Sequence, residues 1–552
     1  MSLAQSSLKY FIGAHVIANQ QRVFAPIQKQ PVPSDLAKLQ CLPREVARWQ
    51  KAQQQVLGDR HSLALRSYRE LVQRFPRIPQ LWFELGIAAA GELDFAGADR
   101  AFHRAEELAP TDAALLVLLG QQYHRLRRLD QARGCFERAV NADPASVSAR
   151  LSLAAWFERE RRLDDAWASV EACVAREPCN PQVLCVRALL LHRKGRNAEA
   201  EIVLRDLILR GSGDPNVKYS SRHLLGVVLD ELGQYAEAMR WLCEAKAQAR
   251  QMTDTARMEQ DYDRADRFRR ELLATLTPGM IRQWRAEECG LPDGHQLALL
   301  GGHPRSGTTL LEQILGAHPG IRAFDEPESF VNEVWHELAP MQATHALTAD
   351  ALNKLSPARQ KKLRQRYWQS LMREANGQPC APVLLDKNPS PSAALHLWLR
   401  VFPELRVIIA LRDPRDVVIS CFFQNLMLTP TNANFLSLER AARHYADLMD
   451  VWLRMRELGG FPWIESRYED VVANVEVEGR KVTAFLGLSW NIDQENHQAT
   501  AHRKFLFAPT YNDVTKPVHN RAVGRWRHYA DALAPIQERL APYCRAFGYA
   551  AD

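Results

Sequence analysis

The sequence predicts two folds in one chain: an α-helical repeat superhelix, then an α/β domain built on a parallel sheet. Three observations carry this reading. Pro76, Pro110, Pro144 and Pro178 recur every 34 residues, a period that belongs to stacked helical repeats. The stretch "GGHPRSGTTLLEQIL", residues 301–315, follows a short apolar run and opens a helical pattern. Strand, glycine loop and helix in that order form the context of a phosphate-binding loop. Beyond it, short apolar runs alternate with helical patterns, as strands and crossover helices do in a parallel sheet.

Composition bounds the rest. At 552 residues the chain is too long for one core. The expected segments are a helical extension over 1–44, repeats over 45–250, a helical linker over 251–292 and the α/β domain over 293–552. Hydrophobic content of 46% and charged content of 24% are ordinary for a globular protein. A net charge of +7 suits an anionic ligand but lacks the concentrated stripe of a nucleic-acid binder. The ten cysteines show no CxxC pairs, and most fall in apolar helical patterns. Buried reduced thiols follow, with no structural zinc and a reducing compartment. No apolar run is long enough for a membrane span. The opening "MSLAQSSLKYFIGAHVIANQ" has one lysine and a broken apolar stretch, a poor signal peptide. The expectation is a cytoplasmic chain with no membrane or nucleic-acid partner.

In the repeats, Trp82, Leu85, Gly86, Ala98, Phe102 and Ala105 precede Pro110. Leu116, Leu119, Gly120, Tyr123, Ala132, Phe136 and Ala139 repeat that register before Pro144. The small residues recur as Ala154 with Ala166, Ala188 with Ala200, and Gly226 with Ala238, the last shifted by an insertion around "GSGDPN". Two antiparallel helices approach closely only where one side chain is nearly absent, while large apolar residues fill the space between repeats. Proline stops the second helix of each pair. These positions resemble the tetratricopeptide repeat family, with about six units over 45–250. The aromatic residues read as core rather than as a ligand cage. Such a superhelix offers a concave groove, which implies a peptide or protein partner. The alternatives are that the array builds a homodimer or props up the next domain. Residues 251–276 are charged with sparse apolar spacing and read as a solvated linking helix, broken by "TPGM".

In the second half "HQLALL" reads as a strand, and a helix follows from Thr308 with Leu310, Leu311, Ile314 and Leu315 on one face. "PVLLDKNP", "LRVIIALRDPRD" and "FPWIESRYED" read as further strands. Each ends in charged residues, and ligands of such sheets sit beyond the carboxyl ends of the strands. Gly302 and Gly307 are spaced as in GxxxxGK[ST], but Thr308 stands in the lysine position and Arg305 is three residues early. The helix start supplies backbone N–H groups and a positive dipole end, with the hydroxyls of Thr308 and Thr309. That suits a phosphate. With no lysine to reach a γ-phosphate and no acidic strand end dedicated to Mg²⁺, nucleoside-triphosphate hydrolysis is the weaker reading.

"PRSGTT" after a strand, then "DKNP", "RDPRDVVIS", "RYED" and "GRWR" resemble the sulfotransferases that use 3′-phosphoadenosine 5′-phosphosulfate (PAPS). The spacing is closest to the tyrosylprotein branch and to bacterial chains that join tetratricopeptide repeats to that domain. The resemblance covers about 260 residues and implies roles residue by residue. Arg305 and Lys387 would be the cations at the oxygen that leaves with the 5′-phosphate. Ser306, Gly307, Thr308 and Thr309 would hold that phosphate with Arg305. Arg412, Ser420 and the late Arg525 would take the 3′-phosphate, and Tyr468 and Thr510 would complete the donor site. Glu326 would be the base for the acceptor hydroxyl, with Asp325, Glu328, His303 and His318 as rivals nearby. A sulfuryl group carries less negative charge than a phosphoryl group, so no metal is implied. The expected product is 3′-phosphoadenosine 5′-phosphate. Pro327 stands where the family has a threonine, which leaves the acceptor open. Tyrosine in a peptide or protein presented by the repeats comes first. The alternatives are a carbohydrate or small-molecule hydroxyl, or an interaction scaffold with an inactive transferase domain.

Overall fold

Close helix approach organises the first half. In the computed structural model, which describes Leu39 and residues 42–550 apart from 59, 93, 288–289, 292–293, 340–345, 376–380, 427 and 499–517, the chain divides into two compact units between Gln234 and Tyr235. The first unit contains eleven described helices, from Pro43–Leu57 to Pro215–Glu231. Successive helices pair as antiparallel hairpins, and the small residues sit where the pairing is tightest. A Cβ on Gly86 would enter the ring of Phe102, and one on Gly120 would stand 2.6 Å from the ring of Phe136. Where alanine replaces the glycine, at Ala154 and Ala188, the residue sixteen positions on is Val170 or Leu204. All four are buried. A larger small residue thus goes with a smaller partner, as close packing requires.

Phe83, Phe102, Tyr123 and Phe136 of the repeats are buried in the core, and Trp82 is partly buried against it. Phe83 and Phe102 pack with ring centroids 5.9 Å apart, and Phe102 meets Tyr123 edge-on at 5.8 Å. Helix starts are capped by side chains: Asp94 accepts from the Gly97 N–H, Asp112 from Leu115, Ser146 from Ala149, and Asn180 from Gln182 and Val183. Pro79, Pro181 and Pro215 occupy first-turn positions, where a missing N–H costs nothing.

The second unit is built on five described parallel strands: β1 (Gln296–Gly302), β2 (Ile321–Asp325), β3 (Val383–Lys387), β4 (Arg406–Leu411) and β5 (Trp463–Arg467). They lie in the order β2-β3-β1-β4-β5. The three central strands are buried on both faces, which is why they read as continuous apolar runs. Four strands stand where the sequence places them. β2, "IRAFD", is not among the expected strands, and Glu326 follows directly after it. It is an edge strand with Arg322 and Asp325 among five residues, so no apolar run marks it. The glycine loop leads from β1 into helix α1 (Thr308–Gly316). Helix α2 (Pro414–Phe422) follows β4, and α3 (Leu438–Leu458) precedes β5.

The charged stretch after residue 250 needs a correction. It is helical, Thr255–Thr275, but it is not a solvated spacer. Asp263 is paired by Arg440 and Arg443, and Tyr262 and Arg270 donate to the buried Asp447, all from α3. No described helix is long and apolar enough to cross a membrane.

The glycine–ring contact sets a test. Gly120→Ala should lower stability by about 1–3 kcal/mol through overpacking. Phe136→Leu added to it should restore at least half of the loss, since an alanine–leucine pair already serves at Ala188 and Leu204. Thermal melting of the four proteins of this double-mutant cycle measures the coupling. Additive effects would show that the two positions do not share a contact.

Candidate active site

The site residues gather at the carboxyl ends of the strands. β1 ends at Gly302, whose φ of 124° is open to glycine alone among common residues. A Cβ there would collide with the carbonyl oxygen of Ala410 on β4. The chain then makes a tight turn in which Arg305 itself takes a left-handed conformation, φ 75°. Left-handed backbone at a non-glycine residue costs about 1–3 kcal/mol and persists where the surroundings enforce it. Its Nε donates to Ser420 Oγ at 3.0 Å, across to α2. Gly307, φ 88°, caps α1 without a side-chain bond to the helix start. Gly307 thus offers no side-chain cap to the first N–H groups of α1. A Cβ on Gly307 would lie 2.6 Å from the Tyr468 ring, so Tyr468, just past β5, sits against this loop. Ser306, Thr308 and Thr309 are buried in it.

Arg412, just past β4, closes the other side. Its guanidinium donates to the carbonyls of Arg305 (3.3 Å) and Ala522 and stands 4.9 Å from the Tyr468 ring centroid. Its Nε is buried with no partner among the described residues. Neighbouring carboxylates pair with Arg412 only weakly. Asp416 lies at 3.8 Å, and Asp413 is occupied by Arg415 at 2.8 Å. Asp416 instead accepts from the N–H groups of Gly524 (2.7 Å) and Trp526 (2.8 Å). Those bonds fasten the turn that carries Arg525 to the start of α2. Arg525 rests 4.1 Å from the Phe423 ring centroid. The structure thus brings Arg305, Ser420 and Arg412 into contact, with Tyr468 and the Arg525 turn beside them. Thr510 lies outside the described residues.

Lys387 and Glu326 form a second group. Lys387 ends β3 in register with Asp325, the last residue of β2. Its ammonium is fully buried and bonds to Asp325 and, at 3.2 Å, to Glu326. Burial works against the charge, but the carboxylates of Asp325, Glu326 and Glu312 outweigh it and hold the lysine above its usual pKa. Glu326 is left-handed, φ 52°. Its N–H donates to Lys387 O at 2.8 Å, and Asn388 Nδ2 donates to Pro327 O at 3.0 Å. "DKN" thus holds the acidic turn in place.

The histidine rivals are spent elsewhere. His303 uses one ring nitrogen on Pro304 O (2.7 Å) and the other on His444 (2.8 Å), and burial lowers its pKa to about 4. His318 accepts from the Gly320 N–H at 2.8 Å and faces Ser489 O at 2.9 Å. Asp325 remains, since it bonds to the same ammonium as Glu326. Sequence reasoning did not anticipate Asp416 as a clamp or Glu312 as a third acid. Only the Asp-Pro-Arg-Asp spacing of a helix start could have signalled the first. Among the described residues no group of three His, Cys, Asp or Glu is placed to hold a metal ion.

Comparisons with known proteins find similarity in both halves of the chain. Residues 298–491 match the sulfotransferase family, and residues 85–147 and 117–176 match the tetratricopeptide repeat. An uncharacterised protein of Aquifex aeolicus is 25% identical over 61% of this chain and 43% of its own length. Protein-tyrosine sulfotransferase 2 of Gallus gallus is 23% identical over 46% of this chain and 69% of its own length. This chain therefore spans less than half of the first relative and about two thirds of the second. The sulfotransferase domain of the Synechococcus PCC 7002 olefin synthase superposes with a TM-score of 0.33 at 21% identity, over 48% of this chain and 97% of that domain.

A buried acid beneath the site gives a pH test. Asp386, between Leu385 and Lys387 on β3, is fully buried and accepts from Tyr367 Oη at 3.0 Å. Burial raises its pKa well above the usual carboxylate range. The folded protein keeps the proton while the unfolded chain loses it. This group's contribution to stability is therefore present below the ordinary carboxylate pKa and is lost as pH rises toward the raised value. Asp386→Asn cannot ionise and still accepts from Tyr367. Its melting temperature at pH 8 should exceed wild type by about 2–4 °C, the scale of ~1 kcal/mol, with the gap closing toward pH 4. A lower melting temperature at pH 8 would mean an ionised Asp386.

Proposed function

We propose that this protein is a PAPS-dependent sulfotransferase that moves a sulfuryl group to an acceptor hydroxyl. The observation that carries the proposal is the contact of Arg305, Ser420 and Arg412 at the ends of β1 and β4. One feature fits the donor: the buried Nε of Arg412, which has no partner among the described residues. When bound, PAPS supplies an activated sulfuryl group whose departure leaves charge on the bridging oxygen. Arg305 and the start of α1 supply positive potential for the 5′-phosphate. Arg412 and Ser420, with Arg525, take the 3′-phosphate. Lys387 stays protonated and is the second cation toward the leaving oxygen. Glu326 is the base that accepts the acceptor proton, with Asp325 its rival on the same ammonium.

The first acceptor class is tyrosine in a peptide or protein presented by the repeats. The protein-tyrosine sulfotransferase relatives and the repeat match support it. Pro327 favours a second reading. It is buried, and its carbonyl is held by Asn388, so the acceptor side lacks a hydroxyl at that position and a carbohydrate or small-molecule hydroxyl becomes the alternative. Buried free thiols at Cys135, Cys173, Cys185, Cys421 and Cys544 support a reducing, cytoplasmic location.

The donor assignment is tested by calorimetry. 3′-Phosphoadenosine 5′-phosphate should bind at least tenfold more tightly than adenosine monophosphate, because each charge-assisted contact contributes about 1.5–3 kcal/mol. Equal affinities would remove the sulfotransferase reading. Glu326→Gln should lose turnover by roughly 100-fold or more with donor binding near wild type. Near-normal turnover in Glu326→Gln beside a dead Asp325→Asn would move the base to Asp325. Mass spectrometry of tyrosyl peptides and saccharides incubated with PAPS separates the acceptor classes.

A further inference from the structure

Lys246 lies outside the stretch that matches the sulfotransferase family, on the helix Tyr235–Met252 that opens the second unit. It is 3% exposed. Its ammonium makes one hydrogen bond, to Gln424 O at 2.7 Å, and stands 5.5 Å from the Phe422 ring centroid. No carboxylate among the described residues pairs with it. A buried ammonium with one bond and no counter-charge is costly, and burial lowers its pKa to about 7.

What Lys246 touches is the end of the helix that carries Ser420. Gln424 follows α2 and donates from its side chain to Ser420 O at 3.0 Å. Cys421, between them, lies within electrostatic reach of Arg305, Arg412 and Lys246 alike. The lysine and the two arginines thus share Cys421 as a common neighbour. The other end of its helix braces the turn that carries Arg525. Tyr235 stacks on His528 with ring centroids 4.0 Å apart, and Tyr529 packs on Phe423, the ring under Arg525.

We infer that Lys246 is a positioning residue of the donor site, which pins the carboxyl end of α2 through Gln424 and adds positive potential for the 3′-phosphate at Ser420. The inference rests on the sulfotransferase reading. The anionic donor then supplies the counter-charge that Lys246 lacks. Ammonium at a helix end also opposes the negative end of the helix dipole, so one group serves both tasks.

Calorimetry on the full-length protein tests this, with 3′-phosphoadenosine 5′-phosphate and adenosine monophosphate as the two probes. Lys246→Met should weaken the first about tenfold and leave the second within twofold, at an unchanged stoichiometry. A merely structural lysine would weaken both alike or neither. Gln424→Ala is the second variant, should Lys246→Met not fold. It leaves the lysine in place and cuts the link to Ser420, so a three- to fivefold loss confined to the 3′-phosphorylated probe supports the inference. An unchanged ratio of the two affinities in the folded variants overturns it. Wild-type protein that fails to distinguish the two probes would instead sink the donor reading itself, a different result from a wild type that discriminates and variants that discriminate equally.

Discussion

A lysine ammonium sealed from solvent governs the α/β unit. Placing Lys387 inside the protein costs several kcal/mol unless opposite charge surrounds it. Asp325, Glu326 and Glu312 supply that charge, and each comes from a different place in the chain: the end of β2, the residue past it, and helix α1. The requirement explains the register of β2 on β3, which puts Asp325 beside Lys387. It also explains the left-handed turn at Glu326, closed by bonds to Lys387 O and from Asn388. Turning at once, Glu326 shares the ammonium that Asp325 already holds.

On the other side of β1 the electrostatics are reversed. Arg412 is met by carbonyl oxygens and a ring, with its nearest carboxylate at 3.8 Å. Asp416, which could have neutralised it, is spent on two backbone N–H groups. One flank of the sheet thus holds a cation surrounded by acids, and the other holds Arg412, whose hydrogen bonds go to carbonyl oxygens. The first arrangement gathers carboxylates around one buried cation, and the second suits an anionic ligand. Glycine makes the second flank possible: Gly302 lets β1 pass the Ala410 carbonyl, and Gly307 lets the loop lie against Tyr468.

Packing, not charge, organises the repeat unit. Its constraint is the missing side chain at Gly86 and Gly120, matched by Phe102 and Phe136. The alanine repeats solve the same space with Val170 and Leu204. Each hairpin therefore carries its own complement of volume, which is how a repeat array tolerates sequence drift.

Much of this was legible in the sequence because it is periodic or local. The proline period, the small residues of the hairpins, four of the five strands and the glycine loop each announce themselves within one element. Ser420 and Arg412 share a motif, so their common place beyond β4 could be expected, whereas the bond from Arg305 to Ser420 could not. The tertiary structure alone placed β2, because five residues with an arginine and an aspartate carry no apolar run. It alone put Asp325 on Lys387, paired the charged helix after residue 250 with α3, and set Lys246 against the end of α2. The physical reason is the same in each case. Periodicity reports which face of an element is buried, whereas register, ion pairing and the fate of a buried charge depend on which distant segments come to lie side by side.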